Sequence, residues 1–352
     1  MTVNRPKARH VRTGFAASLN KPLATVASRP YAIAAASVVG LLATAAVANR
    51  WLANKAVRDH PPMGKFCNID GVRLHYVQKG DGEPLVLLHG NGSMIQDFES
   101  SGLVELAAKK YRVIIFDRPG FGHTARPRST TWTPAAQAQL IHRALKRIGV
   151  SRATILGHSW GASVAIALAL KYPETVSGLV LASGYYYPSA RVDVALFSGP
   201  AIPIAGDLAR YTVAPILGHL MWPSMMQKLF GPAEVPEKFQ QFPKEMALRP
   251  SQIRASAAES GLMIPDAVAA RGHYKKLVMP VAIIAGEQDR LIKFEDQSAR
   301  LHREVSQSTL HRVPGAGHMV HQTAPEEVIA AIDEVADAAE LRRRPEIAPL
   351  AA

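Results

Sequence analysis

Short, largely apolar runs recur through the middle of the chain, at residues 84–88, 113–116, 154–156, 178–183 and 278–285, and a further strand is expected at 309–313. The apolar runs lack the polar alternate face of a half-exposed strand, which predicts strands covered by helices on both sides. Helical stretches separate them. Residues 133–148 open on Thr133-Pro134, with the proline suited to a first helical turn, and residues 162–170 form an alanine-rich run that Pro173 helps to stop. Strand–helix–strand alternation of this kind predicts a doubly wound, mostly parallel α/β sheet with its site at the carboxyl ends of the strands. Residues 65–78 read differently, as two short strands around the turn dipeptide Asp70-Gly71, an antiparallel hairpin at one edge.

Two stretches break this pattern. Residues 31–48 carry no charge and lie between Arg29 and Arg50, with Trp51 just outside. Eighteen such residues reach the lower limit of a membrane-spanning helix, and the basic flanks and the tryptophan suit its interfaces. Eight of the eighteen are alanines, so the transfer free energy is marginal. A membrane anchor is the favoured expectation, with a processed targeting segment and a soluble buried helix as the alternatives. Residues 185–270 form the second stretch, where prolines at 188, 200, 203, 215, 223, 232, 236, 243 and 250 punctuate short helical pieces rich in aromatic side chains and methionine. They predict a helical cap inserted into the α/β core. Tyr185, Met221, Trp222 and Met225 are candidates to line a pocket for an apolar acyl or alcohol group.

The domain plan is then a basic arm over 1–60, a core built from 61–184 and 271–340, a cap over 185–270 and a tail over 341–352. Residues 1–30 are expected to be disordered, being basic, free of acids and rich in Ser, Thr and Ala. Charge changes the picture in one respect. Nine Lys and Arg residues fall in 1–60 against the single acid Asp59, so much of the net charge of +13 belongs to the arm, and Arg342, Arg343 and Arg344 add to it in the tail. The body between is close to balanced. That argues against a nucleic-acid-binding surface and for a locally basic arm near anionic lipid or an import machinery. Cys67 is the sole cysteine, so no intrachain disulfide forms. No Cys and His spacing matches a zinc site, and neither a metal nor another cofactor is expected.

The chemistry gathers at Gly157-His158-Ser159-Trp160-Gly161, entered from an apolar strand and left by a helix. That context makes Gly-x-Ser-x-Gly a nucleophile elbow, in which the serine stands exposed on a strained turn. The helix that follows aims its free N–H groups and positive dipole end at the same place. Residues 89–92, His-Gly-Asn-Gly after an apolar strand, are expected to supply a second N–H, that of Asn91, which with that of Trp160 makes a two-donor oxyanion hole. The acid is expected at Asp289 in Gly286-Glu287-Gln288-Asp289, with Glu287 as rival and Asp296 third. The base is expected at His318, on the glycine-rich turn after the last strand, ahead of His321, which falls where the next helix begins and reads as a surface or capping histidine. Asp117 and His123 read as members of a tight turn whose Asp and Arg hold loops together. The order Ser159, Asp289, His318 is the order this architecture requires.

Taken in sequence, residues 89–92, 117–122, 157–161, 286–289 and 317–318 resemble the α/β-hydrolase superfamily, over residues 64 to about 340. The resemblance implies an α/β-hydrolase fold with a cap and a small-molecule substrate. Asn91 and Trp160 are similar to the halide-holding pair of haloalkane dehalogenases, and the Gly-His-x-Trp-Gly elbow is similar to that of epoxide hydrolases. Both families carry aspartate at the nucleophile position, where this chain has Ser159, so both activities are set aside. Serine members include carboxylesterases, lipases, carbon–carbon bond hydrolases, proline iminopeptidases and cofactor-free haloperoxidases. The expectation is a serine hydrolase of a moderately apolar carboxylic ester. A carbon–carbon bond or amide hydrolase, and a non-catalytic receptor or interaction module on the same fold, are the alternatives.

Overall fold

The computed structural model describes residues 1–2, 28–191, 194 and 197–342. The disorder expected of 1–30 and the basic tail therefore lie almost wholly outside the described residues. Eight strands form one sheet in the order β1-β2-β4-β3-β5-β6-β7-β8. These are β1 (Lys65–Ile69), β2 (Val72–Lys79), β3 (Glu83–Leu88), β4 (Tyr111–Phe116), β5 (Ala153–His158), β6 (Val176–Ala182), β7 (Val281–Gly286) and β8 (Ser308–Val313). β1 pairs antiparallel with β2, and β2 with β4, while β4, β3, β5, β6, β7 and β8 run parallel. The hairpin turns through Asp70 and Gly71, at φ 49° and 77°, the left-handed pair that a two-residue turn between twisted strands requires.

The central parallel strands are largely apolar because they serve two cores, whereas the edge strand β8 carries the polar Thr309, His311 and Arg312. Val86, Leu88 and Ile155 point into one, with Leu140, Ala165 and Leu168 of the helices α3 (Pro134–Arg147) and α4 (Trp160–Lys171). Leu85, Leu87 and Leu156 point into the other, with Phe98 of α2 (Ile95–Ser101) and Val328 and Ile332 of α8 (Pro325–Leu341). Thr133 caps α3 by accepting from the Ala136 N–H at 3.2 Å, with Pro134 in the first turn. β7 begins at Val281 rather than at the expected 278, and Val278 is 67% exposed. Pro280 intervenes, and a residue without an N–H suits the edge of a ladder, not its interior.

The amino-terminal helix α1 runs from Ser28 to Asp59, well past the apolar segment. Two compact units divide the described chain, residues 1–43 and residues 44–352, and the division falls within this helix. Packing is the reason. Ala56 is buried among Met94, Phe230 and Phe239, and the Asn49 amide donates to the carbonyls of Tyr211 and Thr212 at 2.9 and 2.7 Å.

Between β6 and β7 the chain inserts α5 (Ala205–Tyr211), α6 (Val213–Phe230) and α7 (Pro250–Ala270). Pro223 and Pro265 sit inside α6 and α7, so these helices are longer than the proline spacing suggests. The insertion closes over the carboxyl ends of the strands. Asn91 after β3 bonds Ser256 and Ser260 of α7, Arg118 after β4 pairs with Glu259 of α7, and the His318 N–H after β8 donates to the Leu229 carbonyl of α6 at 2.8 Å.

Candidate active site

Ser159 follows β5 and precedes α4 at φ 53° and ψ −117°, a region that a residue with a side chain occupies only under constraint. Gly157 and Gly161 make the turn possible. A Cβ on Gly157 would collide with the Gly161 carbonyl, and one on Gly161 with the Leu88 carbonyl at the end of β3. The elbow is thereby pressed against the neighbouring strand end, where the 89–92 turn begins.

The Ser159 hydroxyl lies 3.0 Å from His318 Nε2, and His318 Nδ1 lies 2.7 Å from Asp289 Oδ2. The second oxygen of Asp289 accepts the N–H groups of Leu291 and Ile292 at 2.7 and 2.9 Å, which leaves Oδ2 aimed at the ring. All three side chains are buried, Ser159 at 9% exposure. Glu287 is instead on the surface beside Arg312 at 3.5 Å, and Asp296 is exposed on a short helical turn. Asp117 accepts from the N–H groups of Ile95 and His123 and pairs with His75 Nδ1 at 2.7 Å. The His123 ring bonds the His60 carbonyl, so the two side chains do not meet.

The turn at 89–92 lies directly against the elbow. A Cβ on Gly90 would come 3.2 Å from the Ser159 Cβ and 3.1 Å from His158 Nδ1. Arg118 holds this turn, bonding the carbonyls of His89 and Gly90 at 2.7 and 2.8 Å while its N–H donates to His89 Nε2 at 3.0 Å. Burial, reinforced by the Arg118 charge, pushes the His89 imidazole down to about 3, so it is neutral. The Asn91 side chain turns toward α7, and its Oδ1 is buried without a hydrogen-bond partner, as is the indole Nε1 of Trp160.

His321 is fully buried, contrary to its reading as a surface or capping residue. Its Nε2 bonds Asp97 Oδ1 at 3.0 Å, and its ring lies 4.3 Å from that of His158. His158 in turn bonds the His318 carbonyl through Nε2 at 3.1 Å. Burial and the neighbouring His321 and His318 rings drive the His158 pKa well down, which leaves a neutral ring whose Nε2–H faces that carbonyl. Burial opposes the charge on Asp97, yet His321, His158 and Gln322 outweigh it and hold the carboxyl below the usual range. Asp97, His158 and His321 bring ligand-type atoms within 4.8 Å of one another, the one such cluster among the described residues. The Asp97 carboxylate and one nitrogen of each ring are already engaged in these hydrogen bonds. Sequence spacing missed the cluster because its members come from α2, the end of β5 and the turn after β8.

Of the four predicted pocket residues, Trp222 and Met225 share one cluster, whereas Tyr185 and Met221 lie apart from it. Tyr185 packs with Ala267 and Ile292, Trp222 and Met225 border the cluster of Met94, Met226, Phe230, Phe239, Phe242 and Met319, and Met221 is 40% exposed. A surface groove of about 370 Å³ lined by Ser163, Ile166, Asp266 and Tyr274 includes none of Ser159, Asp289 and His318.

A mostly parallel sheet with a strained serine after its fifth strand, within hydrogen-bonding distance of a histidine that meets a carboxylate, defines an α/β enzyme of the hydrolase class. The profile of the family described as alpha/beta hydrolase fold matches residues 83–325, and the chain belongs to that family. It is 27% identical over 271 residues to an uncharacterised hydrolase of Bacillus subtilis, covering 75% of this chain and 94% of that one. It is 25% identical to haloalkane dehalogenase 2 of Mycobacterium tuberculosis, over 74% of this chain and 91% of that one. Lipase 1 of Psychrobacter immobilis is 26% identical, over 76% and 79%. Among solved structures, a thermophilic esterase from Thermogutta terrifontis superposes with a TM-score of 0.63 at 22% identity, covering 80% of this chain and 99% of that one.

Proposed function

We propose that this hydrolase cleaves carboxylic esters with a moderately apolar acyl or alcohol group, through an acyl-enzyme on Ser159. The contact of Ser159 Oγ with His318 Nε2 at 3.0 Å carries the reading. His318 takes the hydroxyl proton as Ser159 attacks the carbonyl carbon, and Asp289 holds Nδ1–H so that Nε2 is the free base. The negative oxygen is received by the main-chain N–H groups of Asn91 and Trp160. Trp160 opens α4, where N–H groups lack helical partners, and Gly90 lets the 89–92 turn approach the serine. Each donor is worth about 2.7–4 kcal/mol of barrier. His318 then returns the proton to the leaving alcohol, and water repeats the cycle on the ester of Ser159.

Support for an apolar substrate comes from Met94, Phe230 and Met319, which cluster beside the 89–92 turn and the His318 loop. The helical insertion then serves as the cap. Haloalkane cleavage is disfavoured despite the dehalogenase relative, because a serine cannot form the carboxylate-derived ester that water later opens. The test is fluorophosphonate labelling of the purified protein, expected for wild type and lost in Ser159→Ala. No labelling of either points to a non-catalytic receptor. Labelling without turnover on an ester panel of rising acyl length points to carbon–carbon or amide bonds.

The segment 31–48 of α1 is proposed as a membrane anchor. α1 is the single helix among the described residues long and apolar enough to cross a bilayer, with mean hydropathy 2.0 over an 18-residue window within Pro30–Asp59. Co-flotation of the full chain with vesicles, lost on deleting residues 1–43, is the expected outcome, and equal solubility of the two would discard the anchor.

A further inference from the structure

Helix α6 is apolar on two sides. Pro215, Met226 and Phe230 face inward, while Val213, Ile216, Leu217 and Leu220 are 45%, 48%, 52% and 73% exposed. The second set recurs at i, i+3, i+4 and i+7, the spacing of a stripe that ordinarily packs on a core. No Asp, Glu, Lys or Arg occurs from 213 to 227. Helix α5 and the loop before it extend the surface with Leu208, Ile204 and Ile202, all more than half exposed. An uncovered apolar area on this scale marks a contact with a partner or with lipid.

We propose that this outer face of α5 and α6 rests in the interfacial layer of a lipid bilayer, an inference that builds on the anchor reading of α1. The corner where α5 passes into α6 identifies the occupant. Asn49 of α1 donates to the carbonyls of Tyr211 and Thr212, immediately before Val213. Two residues further along α1 stands Trp51, 58% exposed, next to Arg50. Tryptophan and arginine at the end of an apolar helix mark the headgroup level. Residues 49–51, which follow the proposed anchor in the chain, thus stand at the corner where the stripe begins. The other end of α6 reaches the candidate site, where the Leu229 carbonyl accepts the His318 N–H. One helix therefore runs from the lipid surface to the loop of the proposed base.

The test uses the full chain with one added cysteine, Leu217→Cys or Leu220→Cys, carrying an environment-sensitive dye; the native Cys67 is buried. Lys171→Cys on the exposed end of α4 is the control. The protein is reconstituted into phosphatidylcholine–phosphatidylglycerol vesicles, with and without brominated acyl chains. A blue shift and loss of fluorescence at 217 and 220 but not at 171 are expected. Both should disappear when the dye sits at Ile216→Cys in a chain also carrying Leu217→Glu and Leu220→Glu. If the protein co-floats with vesicles yet 217 and 220 behave like 171, the face is free of lipid and the anchor reading stands alone. Cross-linking between copies at 220 without lipid quenching would assign the face to a second copy. Failure to co-float overturns anchor and face together.

Discussion

Asp289 and Glu287 stand two residues apart on one loop in opposite surroundings. Asp289 is buried, capped by two N–H groups and aimed at His318, whereas Glu287 shares solvent with Arg312. Asp289→Asn is expected to lower kcat by about 10⁴-fold through the wrong imidazole tautomer, and Glu287→Gln to leave kcat unchanged. His89 yields a prediction on stability. Its folded pKa of about 3 lies below the ordinary 6.5, so between those values the unfolded chain binds a proton that the folded one refuses. Stability is therefore lost as pH falls from 6.5 toward 3, with a slope of about 1.4 kcal/mol per pH unit from this group. Thermal melts across that range should show a shallower slope in His89→Gln, even though the variant is less stable at neutral pH. The sequence offered both acids of the 287–289 loop as candidates, because residue type and spacing are shared and only burial separates them.

The elbow and the α7 clamp are the elements on which the proposed site depends. Gly161→Ala is expected to cost more than about 2 kcal/mol in a denaturant titration, because the new methyl would meet the Leu88 carbonyl and not a flexible side chain. Arg118 and Glu259 form an ion pair with both side chains fully buried, tying the 89–92 turn to α7. Glu259→Gln leaves that guanidinium charge uncompensated and should cost about 3–5 kcal/mol. The double variant Arg118→Met, Glu259→Leu should recover part of this in the same titration. The elbow was legible in the sequence because its requirements are local. The clamp was legible only at one end: Arg118 belongs to the 117–122 turn expected to hold loops together, but its partner Glu259 lies 141 positions away, outside the motifs read from the sequence.

At the scale of the molecule, the end of α1 is part of the body. Deleting residues 1–43 should leave the melting temperature unchanged, whereas deleting 1–60 removes the two Asn49 hydrogen bonds and uncovers the cluster around Phe230. The longer deletion should destabilise by on the order of 2 kcal/mol, at about 1 kcal/mol per hydrogen bond before the lost packing. Strand runs, helix starts, the edge hairpin and the serine turn follow from the sequence alone, since each is set by the periodicity, turn geometry and steric needs of a few consecutive residues. Tertiary structure decided the rest: where the body begins, which acid faces the imidazole, that His321 is buried against Asp97, and that an apolar stripe of α6 points outward. Those features depend on which distant surfaces are covered, and burial is a property of the folded neighbourhood, which no local run of residues contains.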